Sequence, residues 1–282
     1  MVATARALAN DGYTRVPGFR DPYARSMLPP GWASAYGLFS RWARRTHPEK
    51  RDRVVAQFDI IALRVATFDA ELTAAIRGGC RQLVLLGAGL DTRAFRMASL
   101  ADVAVYEVDH PATQAYKRRK ASALTTLAKS VTFVPVDFES SSLAECLGRT
   151  EFRPDQPTVW VWEGVVMYLT DEAVRITLAD MARCSAPGST LIANYHTPHS
   201  KPVESEHRVR RVLLALWREP QIGQRTPHTI HEWVTRAGFD LVSDTDPLEW
   251  ARRLGVPAPV GQATRVMRIF VARRSALAQP QS

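Results

Sequence analysis

The feature that most constrains the fold of this chain is a regular alternation between short β-rich apolar runs and amphipathic stretches, which begins near residue 82. The apolar runs start, in chain order, at Leu83 (LVLL), Val103 (VAVYEV), Val131 (VTFVPV), Thr158 (TVWVW) and Ser189 (STLIANY). Strands that read as continuous apolar runs are buried on both faces, as in a parallel sheet covered by helices. Helical patterns over 111–127 and 171–183 supply crossover connections. The sequence therefore predicts an α/β protein with a doubly wound sheet.

Two regions lie outside this alternation and predict helical additions to the sheet. The amino-terminal region contains several prolines and a long amphipathic stretch over 48–76, which predicts a helical cap. A later region carries apolar side chains at helical spacing between Val209 and Trp217, which predicts a helical lid over the carboxyl ends of the strands. The predicted organisation is a single domain with a helical cap at 1–78, a central core at 79–195, a lid insertion at 196–238 and terminal strands within 239–275.

Composition excludes several classes of protein. The chain has 282 residues, of which 46% are hydrophobic, which is enough for a large core and too many for a disordered polymer. The cysteines Cys80, Cys146 and Cys184 are too far apart for a zinc or disulfide framework. We find no apolar run of the length that a signal peptide or a membrane span needs, so we expect a soluble, cytoplasmic protein without a membrane partner.

Basic residues exceed acidic ones by 37 to 28, and the resulting net charge of +9 favours anionic partners in general. The basic run over 117–120 has no interleaved aromatic residues and accompanies no zinc-finger or RNA-recognition signature, so we interpret it as a solvated helix face. His228 and His231 lack the spacing of the HExxH metal motif. We therefore expect neither a nucleic-acid partner nor a catalytic metal.

The first predicted strand runs directly into a glycine-rich turn, GAGLD, which starts at Gly87. Glycine lets a backbone approach a bound ligand more closely than a residue with a Cβ does. Asp109 follows Gly89 by 20 residues at the end of the second strand, where an acid binds the hydroxyls of an adenosine ribose. Thr92 stands where a dinucleotide-binding turn has its third glycine, and the Asp91 carboxylate repels phosphates. A cationic cofactor without phosphate, such as S-adenosylmethionine, fits these residues, although glycines also close tight turns that bind nothing.

Further acids follow the third and fourth predicted strands. Asp137 is placed to accept a hydrogen bond from an adenine amino group, and the ring of Phe138 could pack on the adenine. Glu163 ends a very apolar strand, where the alternative is a helix-capping or surface carboxylate. Because the carboxyl ends of parallel strands meet at one edge of a sheet, we expect these acids and those of the first two strands to line one crevice.

Four segments carry a resemblance to a known family: LVLLGAGLDTRAF from Leu83, YEVDHPATQ from Tyr106, VDFE from Val136 and WEGVVMYL from Trp162. They resemble the leucine carboxyl methyltransferase family, in particular its bacterial branch of small-molecule O-methyltransferases, which includes polyketide tailoring enzymes. The resemblance extends over most of the chain, including Asp21-Pro22-Tyr23 and Leu63-Arg64. It implies a class I methyltransferase (Rossmann-like) sheet of seven strands with the last antiparallel, and S-adenosylmethionine as the methyl donor.

The resemblance also implies roles for individual residues. Arg64 would meet the donor's carboxylate and Glu163 its ammonium group, while Gly87 and Gly89 would lie under its methionine part. Asp109 would hold the ribose, and Asp137 with Phe138 would hold the adenine. The other cofactor-binding candidates are Ala88, Asp91, Arg93, His110 and Gly164. An alternative for Arg64 is a surface pair with Asp69 or Glu71.

This chain departs from its bacterial relatives near Arg64. Ala66 stands where they tend to carry a second arginine, and Ala70 stands where a second acid is expected after Asp69. The identity of the acceptor is therefore less constrained than that of the donor.

The acceptor side offers two chemical routes. A carboxylate acceptor is already ionised at pH 7 and needs no general base, whereas a hydroxyl does need one. Tyr195, His196 and Tyr168 are the candidate catalytic residues, and His199 lies nearby. The alternatives are a packed Tyr195 ring with a satisfied hydroxyl and a His196 that bonds a loop carbonyl. His110 is expected to stabilise the turn before the helix that follows it.

Together these observations predict an S-adenosylmethionine-dependent O-methyltransferase that acts on a hydroxyl or carboxylate of a small natural product of polyketide type. The positive net charge favours an anionic acceptor. One alternative is a carboxyl methyltransferase that acts on a peptide or protein carboxyl terminus. The other is a non-catalytic nucleic-acid-binding or regulatory module.

Overall fold

The computed structural model describes residues 2–47, 49, 55, 59–137, 141–198, 223–259 and 263–275. Phe138, His199 and the predicted apolar stripe between Val209 and Trp217 lie outside these residues.

The described strands form one sheet of seven in the order β3-β2-β1-β4-β5-β7-β6. Their bounds are β1 Gln82–Leu86, β2 Ala104–Asp109, β3 Ser130–Pro135, β4 Thr158–Trp162, β5 Thr190–His196, β6 Phe239–Thr245 and β7 Met267–Arg274. The first five strands pair in parallel, and β7 runs antiparallel to both β5 and β6. The α/β class and the seven-stranded sheet with its antiparallel last strand are confirmed.

Helices cover both faces of the sheet. They are α1 Val2–Asn10, α2 Pro30–Arg45, α3 Asp59–Arg77, α4 Arg93–Arg96, α5 Pro111–Ala121, α6 Leu143–Gly148, α7 Asp171–Arg183, α8 Pro227–Arg236, α9 Pro247–Leu254 and α10 Ala263–Val266. The helix predicted over 171–183 has those bounds, with Thr170 as its N-cap. The helix predicted over 111–127 is shorter than expected and ends at Ala121, and the backbone N–H groups of residues 127 and 128 donate to Ala94 O rather than to helix carbonyls.

The core has two layers because successive side chains of a strand point to opposite faces of the sheet. Leu83 and Leu85 of β1 pack with buried side chains of α3 on one face. Val84 and Leu86 pack on the other face with buried residues of α7 and α8. A smaller cluster joins α1 to α2, and Leu90 of the turn after β1 packs against it, so the amino-terminal helices are attached to this body.

The sheet order places a crevice at the carboxyl end of β1. This strand has β2 on one side and β4 on the other, and the chain leaves them towards opposite edges of the sheet. Open α/β sheets bind ligands at such a switch point. No helix in the described part of the chain is both long enough and apolar enough to cross a membrane.

Candidate functional site

A cavity of about 720 Å³ lies at this switch point. Within the described part of the chain, ten of the residues predicted to bind the cofactor line it: Arg64, Gly87, Ala88, Gly89, Asp91, Asp109, His110, Asp137, Glu163 and Gly164. The structure thus brings together residues of α3 and of the turns that follow β1, β2, β3 and β4. Tyr168, one of the three predicted catalytic residues, also lines this cavity.

The glycine turn after β1 packs tightly against the segment that follows β4. Gly87 has a φ of +63°, and a Cβ at this position would lie 2.3 Å from Val165 Cγ2. A side chain at Gly87 would therefore be strained and would also push the two walls of the cavity apart. The turn is fixed at its base, where Ala88 N donates to Val108 O at 3.0 Å.

The Asp109 carboxylate is held by backbone donors at the end of β2. One of its oxygens accepts a hydrogen bond from Gly89 N, and the other accepts from His110 N at 2.6 Å. Burial raises the pKa of Asp109, and these two hydrogen bonds act in the opposite direction. His110 caps α5 through Nδ1, which accepts from Ala112 N at 3.3 Å, so the turn-stabilising interpretation of His110 agrees with its geometry.

Two arginines hold Glu163 after β4. Arg64 Nε donates to Glu163 Oε1 at 2.9 Å, and Arg93 Nη2 donates to Oε2 at 2.7 Å. Arg64 is only 4% exposed, so it is not the surface residue of the alternative interpretation. In the described part of the chain, neither Nη nitrogen of Arg64 has a hydrogen-bond partner. This guanidinium can therefore receive a ligand carboxylate from the cavity.

Arg93 lies beneath the cavity and does not line it. Its guanidinium donates to Asp69 at 2.7 Å and to Asp91, and its backbone N donates to Asp91 Oδ1 at 2.7 Å. Asp69, the single acid that this chain keeps after the aromatic residue of α3, also pairs with Arg96 at 2.7 Å. Arg93 is thus an organiser of the acids rather than a group that the structure exposes to a ligand.

These contacts keep Asp91 and Glu163 ionised. Burial alone raises the pKa of Asp91, but the charges of Arg93 and Lys117 outweigh burial and hold the pKa well below its ordinary value. The pKa of Glu163 is lowered in the same way, because Arg93 and Arg64 outweigh its burial. A wall of fixed carboxylates repels phosphate and attracts a cation.

The structure does not bring Tyr195 or His196 to the cavity. Tyr195 is fully buried, and its hydroxyl donates to Asp244 Oδ2 at 2.6 Å. Burial and the Asp244 carboxylate raise the pKa of this phenol, which makes it a poor acid or base. His196 ends β5, where its carbonyl accepts a hydrogen bond from Arg225 N at 2.8 Å. Its ring is not among the groups that line the cavity.

The amino-terminal helix contributes residues that the sequence analysis missed. Val2, Ala3 and Arg6 of α1 line the cavity. Arg6 Nη2 donates to Leu90 O at 2.5 Å, and Nη1 lies 3.4 Å from Asp21 Oδ2, so α1 is tied to the glycine turn. The sequence signal for these three residues was their spacing: Ala3 and Arg6 follow Val2 by one and four residues, which places all three on one side of a helix. In the part of the chain that the structure describes, no three His, Cys, Asp or Glu side chains are placed to hold a metal ion.

Solved structures of methyltransferases have the same fold. A predicted methyltransferase from Thermobifida fusca is 16% identical to this chain, with a TM-score of 0.59, covering 98% of this chain and 95% of that one. Magnesium protoporphyrin IX methyltransferase from Synechocystis, solved with bound S-adenosylhomocysteine, is 15% identical, with a TM-score of 0.50, covering 85% of this chain and 95% of that one. At these identities the likeness concerns the fold alone.

Relatives in the mycobacteria are more similar in sequence. A predicted S-adenosyl-L-methionine-dependent methyltransferase of Mycolicibacterium paratuberculosis is 37% identical over 204 residues, which are 70% of this chain and only 65% of that protein. A second one, from Mycobacterium tuberculosis H37Rv, is 30% identical over 277 residues, covering 89% of this chain and 85% of the relative. The sequence profile of the leucine carboxyl methyltransferases matches residues 1–182. This chain belongs to the leucine carboxyl methyltransferase family.

Proposed function

We propose that this chain is a cytoplasmic S-adenosylmethionine-dependent methyltransferase that methylates an oxygen of a small natural product. The observation that carries the proposal is one cavity of about 720 Å³ that contains both the Arg64 guanidinium and the backbone-held Asp109 carboxylate. The family and the names of the mycobacterial relatives support the same donor.

The residues of the cavity fit each part of this donor. The Nη nitrogens of Arg64 would bind its carboxylate, and Glu163 would bind its ammonium group. Asp109 would accept hydrogen bonds from the ribose hydroxyls, and Asp137 would accept one from the adenine amino group. Asp91 keeps a negative charge near the glycine turn, which favours a cationic donor over a nucleotide with phosphates.

When bound, S-adenosylmethionine supplies a methyl group activated by its sulfonium. The transfer is an in-line displacement, so the protein has to align the reactants and exclude water, and it needs no covalent intermediate. Helix α1 contributes to water exclusion because Val2 and Ala3 form part of the cavity wall. Of the three candidate catalytic residues, Tyr168 is the one that lines the cavity, so we assign it to the acceptor side.

A carboxylate acceptor is the simpler of the two chemical routes. Tyr195 and His196, two of the three candidate catalytic residues, do not line the cavity, and His199 lies outside the described residues. A carboxylate is already ionised at neutral pH and is methylated without proton transfer, whereas an alcohol requires a base. The product is then a methyl ester, on a small molecule or on a peptide carboxyl terminus.

Donor binding tests the proposal through Asp109. We expect Asp109→Asn to weaken the binding of S-adenosylhomocysteine by about 1 to 3 kcal/mol, because a charge-assisted hydrogen bond is lost. Asp102→Asn is the matched control, since Asp102 is an exposed aspartate that precedes β2 and does not line the cavity. Isothermal titration calorimetry measures both variants. Equal affinity in wild type and Asp109→Asn would remove Asp109 from the donor site.

Labelled donor tests the acceptor. Incubation with methyl-labelled S-adenosylmethionine and a metabolite extract of the native host should place the label in a small molecule. Label that is released by mild base indicates a methyl ester, and stable label indicates an ether. Label in the protein or peptide fraction would instead support the alternative acceptor, a peptide carboxyl terminus.

A further inference from the structure

One wall of the cavity is the segment over 163–170, which joins β4 to α7 and is called here the β4–α7 segment. It contains one short turn of 3₁₀ helix, Val166–Tyr168. Four of its residues line the cavity: Glu163, Gly164, Val165 and Tyr168. Tyr168 N donates to Val165 O and Leu169 N donates to Val166 O within the segment, and contacts from other parts of the chain hold the rest of its backbone in place.

Arg225 supplies bonds to this backbone. Its Nη1 donates to Val166 O at 2.9 Å, and its Nη2 donates to Leu169 O at 2.6 Å. The backbone N of Gly223, two residues earlier, donates to Met167 O at 3.1 Å. Residues 223–225 therefore hold three carbonyls of the β4–α7 segment from one side.

Arg225 is itself anchored. It is 4% exposed, its backbone N donates to His196 O, and its guanidinium carbon lies 5.6 Å from the centre of the Trp233 ring. It also pairs with Asp171 at 2.9 Å, but that side chain is 65% exposed, so the ion pair contributes little. The bonds to the carbonyls of Val166 and Leu169 are the stronger contacts, because they are charge-assisted and their donor group is buried.

The position of the segment determines the spacing between the two walls of the cavity. Val165 fills the place next to Gly87 that a Cβ would need. From the opposite side, Asn194 Oδ1 accepts a hydrogen bond from Gly164 N at 2.6 Å. The segment is thus fixed between β5, the glycine turn and Arg225.

We infer that Arg225 is a positioning residue of the donor site, which acts through the β4–α7 segment. It holds Val166 and Leu169 so that Glu163, Val165 and Tyr168 stand at a fixed distance from the glycine turn. This inference rests on the proposed function, because it assumes that the cavity binds the methyl donor.

The test compares variants of Arg225 with a variant of the next residue. Arg225→Met should bind S-adenosylhomocysteine about tenfold more weakly than wild type, a loss of about 1.4 kcal/mol. Arg225→Lys should recover only part of the affinity. An ammonium group can still donate to one carbonyl, but it lacks the planar fork with which arginine bonds two carbonyls at once. Thr226→Ala removes the N-cap of α8 and should lower stability while it leaves the affinity unchanged.

Calorimetry measures the affinities at a temperature at which circular dichroism shows every variant to be folded. Hydrogen exchange should show faster exchange of the Tyr168 and Leu169 amides in Arg225→Met and not in Thr226→Ala. If folded Arg225→Met binds S-adenosylhomocysteine as tightly as wild type, or if Thr226→Ala loses as much affinity as Arg225→Met, the inference about Arg225 is wrong, but the proposed function is not affected. Absence of binding by the wild type would overturn the proposed function, and the inference with it.

Discussion

At the scale of single residues, the charge arrangement of the cavity depends on Arg93. This buried guanidinium contacts Asp91, two residues away, and also Asp69 and Glu163, which are 24 and 70 residues away. The sequence motif that contains Arg93 indicated a role near the cofactor. It could not show that Arg93 lies beneath the acids, because two of its three partners come from other elements.

Tyr195 is expected to stabilise the fold rather than to take part in methyl transfer. Tyr195→Phe should lower the free energy of unfolding by about 1 to 3 kcal/mol, because the buried Asp244 carboxylate loses a donor. Affinity for S-adenosylhomocysteine should not change. Urea unfolding and calorimetry measure the two effects. Tyr106→Phe is the control, since Tyr106 is equally buried in the sheet and its hydroxyl has no hydrogen-bond partner among the described residues.

A different result would support the sequence-based assignment of Tyr195 as a catalytic residue. Unchanged stability, together with slower turnover of an identified acceptor, would show that the hydroxyl contacts the substrate and not Asp244.

A buried pair below the site should make stability depend on pH. Lys117 Nζ lies 2.5 Å from Glu107 Oε2, and both side chains are 1% exposed. Burial raises the pKa of Glu107 from 4.5 to about 7, although Lys117 opposes this shift. Because the folded state holds the proton more tightly, the free energy of unfolding should fall as pH rises from about 4.5 to about 7.

The expected size of this fall is on the order of 3 kcal/mol, at about 1.4 kcal/mol per pKa unit. Urea unfolding of the wild type and of a Glu107→Gln/Lys117→Met double variant measures it, since the double variant removes both charges. Parallel pH curves for the two proteins would contradict the assignment to Glu107.

At the scale of elements, the strands were predictable and some of their connections were not. The buried strands are recognisable in the sequence as apolar runs, and β1, for example, is buried at all five positions. The segment after α5 is held by Ala94, which is distant in sequence and whose carbonyl accepts the backbone N–H groups of residues 127 and 128. The position of α1 against the cavity likewise depends on contacts with the glycine turn that no local pattern encodes.

The turn after β1 predicts a specific effect of adding one methyl group. Gly87→Ala should lower the free energy of unfolding by more than about 1 kcal/mol and weaken S-adenosylhomocysteine binding, because the new Cβ collides with Val165. Gly255→Ala is the control, since Gly255 has a φ of +65° and has nothing within 4 Å of the added Cβ.

Both positions have nearly the same positive φ, so the difference between the unfolding free energies of the two variants in urea reports mainly the collision. Equal losses in the two variants, with unchanged ligand affinity in Gly87→Ala, would show that the turn and the β4–α7 segment are not closely packed.

At the scale of the whole molecule, the fold and the donor side of the site followed from the sequence more fully than the acceptor side did. Successive acids at strand ends predicted one crevice, and the parallel sheet brings them together. Tyr195 and His196 also stand at the end of a strand, but the Tyr195 side chain is fully buried with its hydroxyl on Asp244, and His196 does not line the cavity. The single-domain organisation with its predicted boundaries stays a prediction.

The net charge of +9 describes the whole chain and does not describe the local charge of the cavity. Arg93 and Arg96 are paired with acids and do not line the cavity, so their charges are not exposed there to attract an anion. An anionic acceptor therefore remains a proposal that rests on the overall field.

A crystal structure of the protein grown with S-adenosylhomocysteine tests the central claim most directly. The account predicts density in the cavity at the carboxyl ends of β1, β2 and β4. The ribose should lie within hydrogen-bond distance of Asp109, and the amino acid part should lie between Arg64 and Glu163. A cavity without the nucleoside at saturating concentration, or a nucleoside bound elsewhere on the protein, would contradict it.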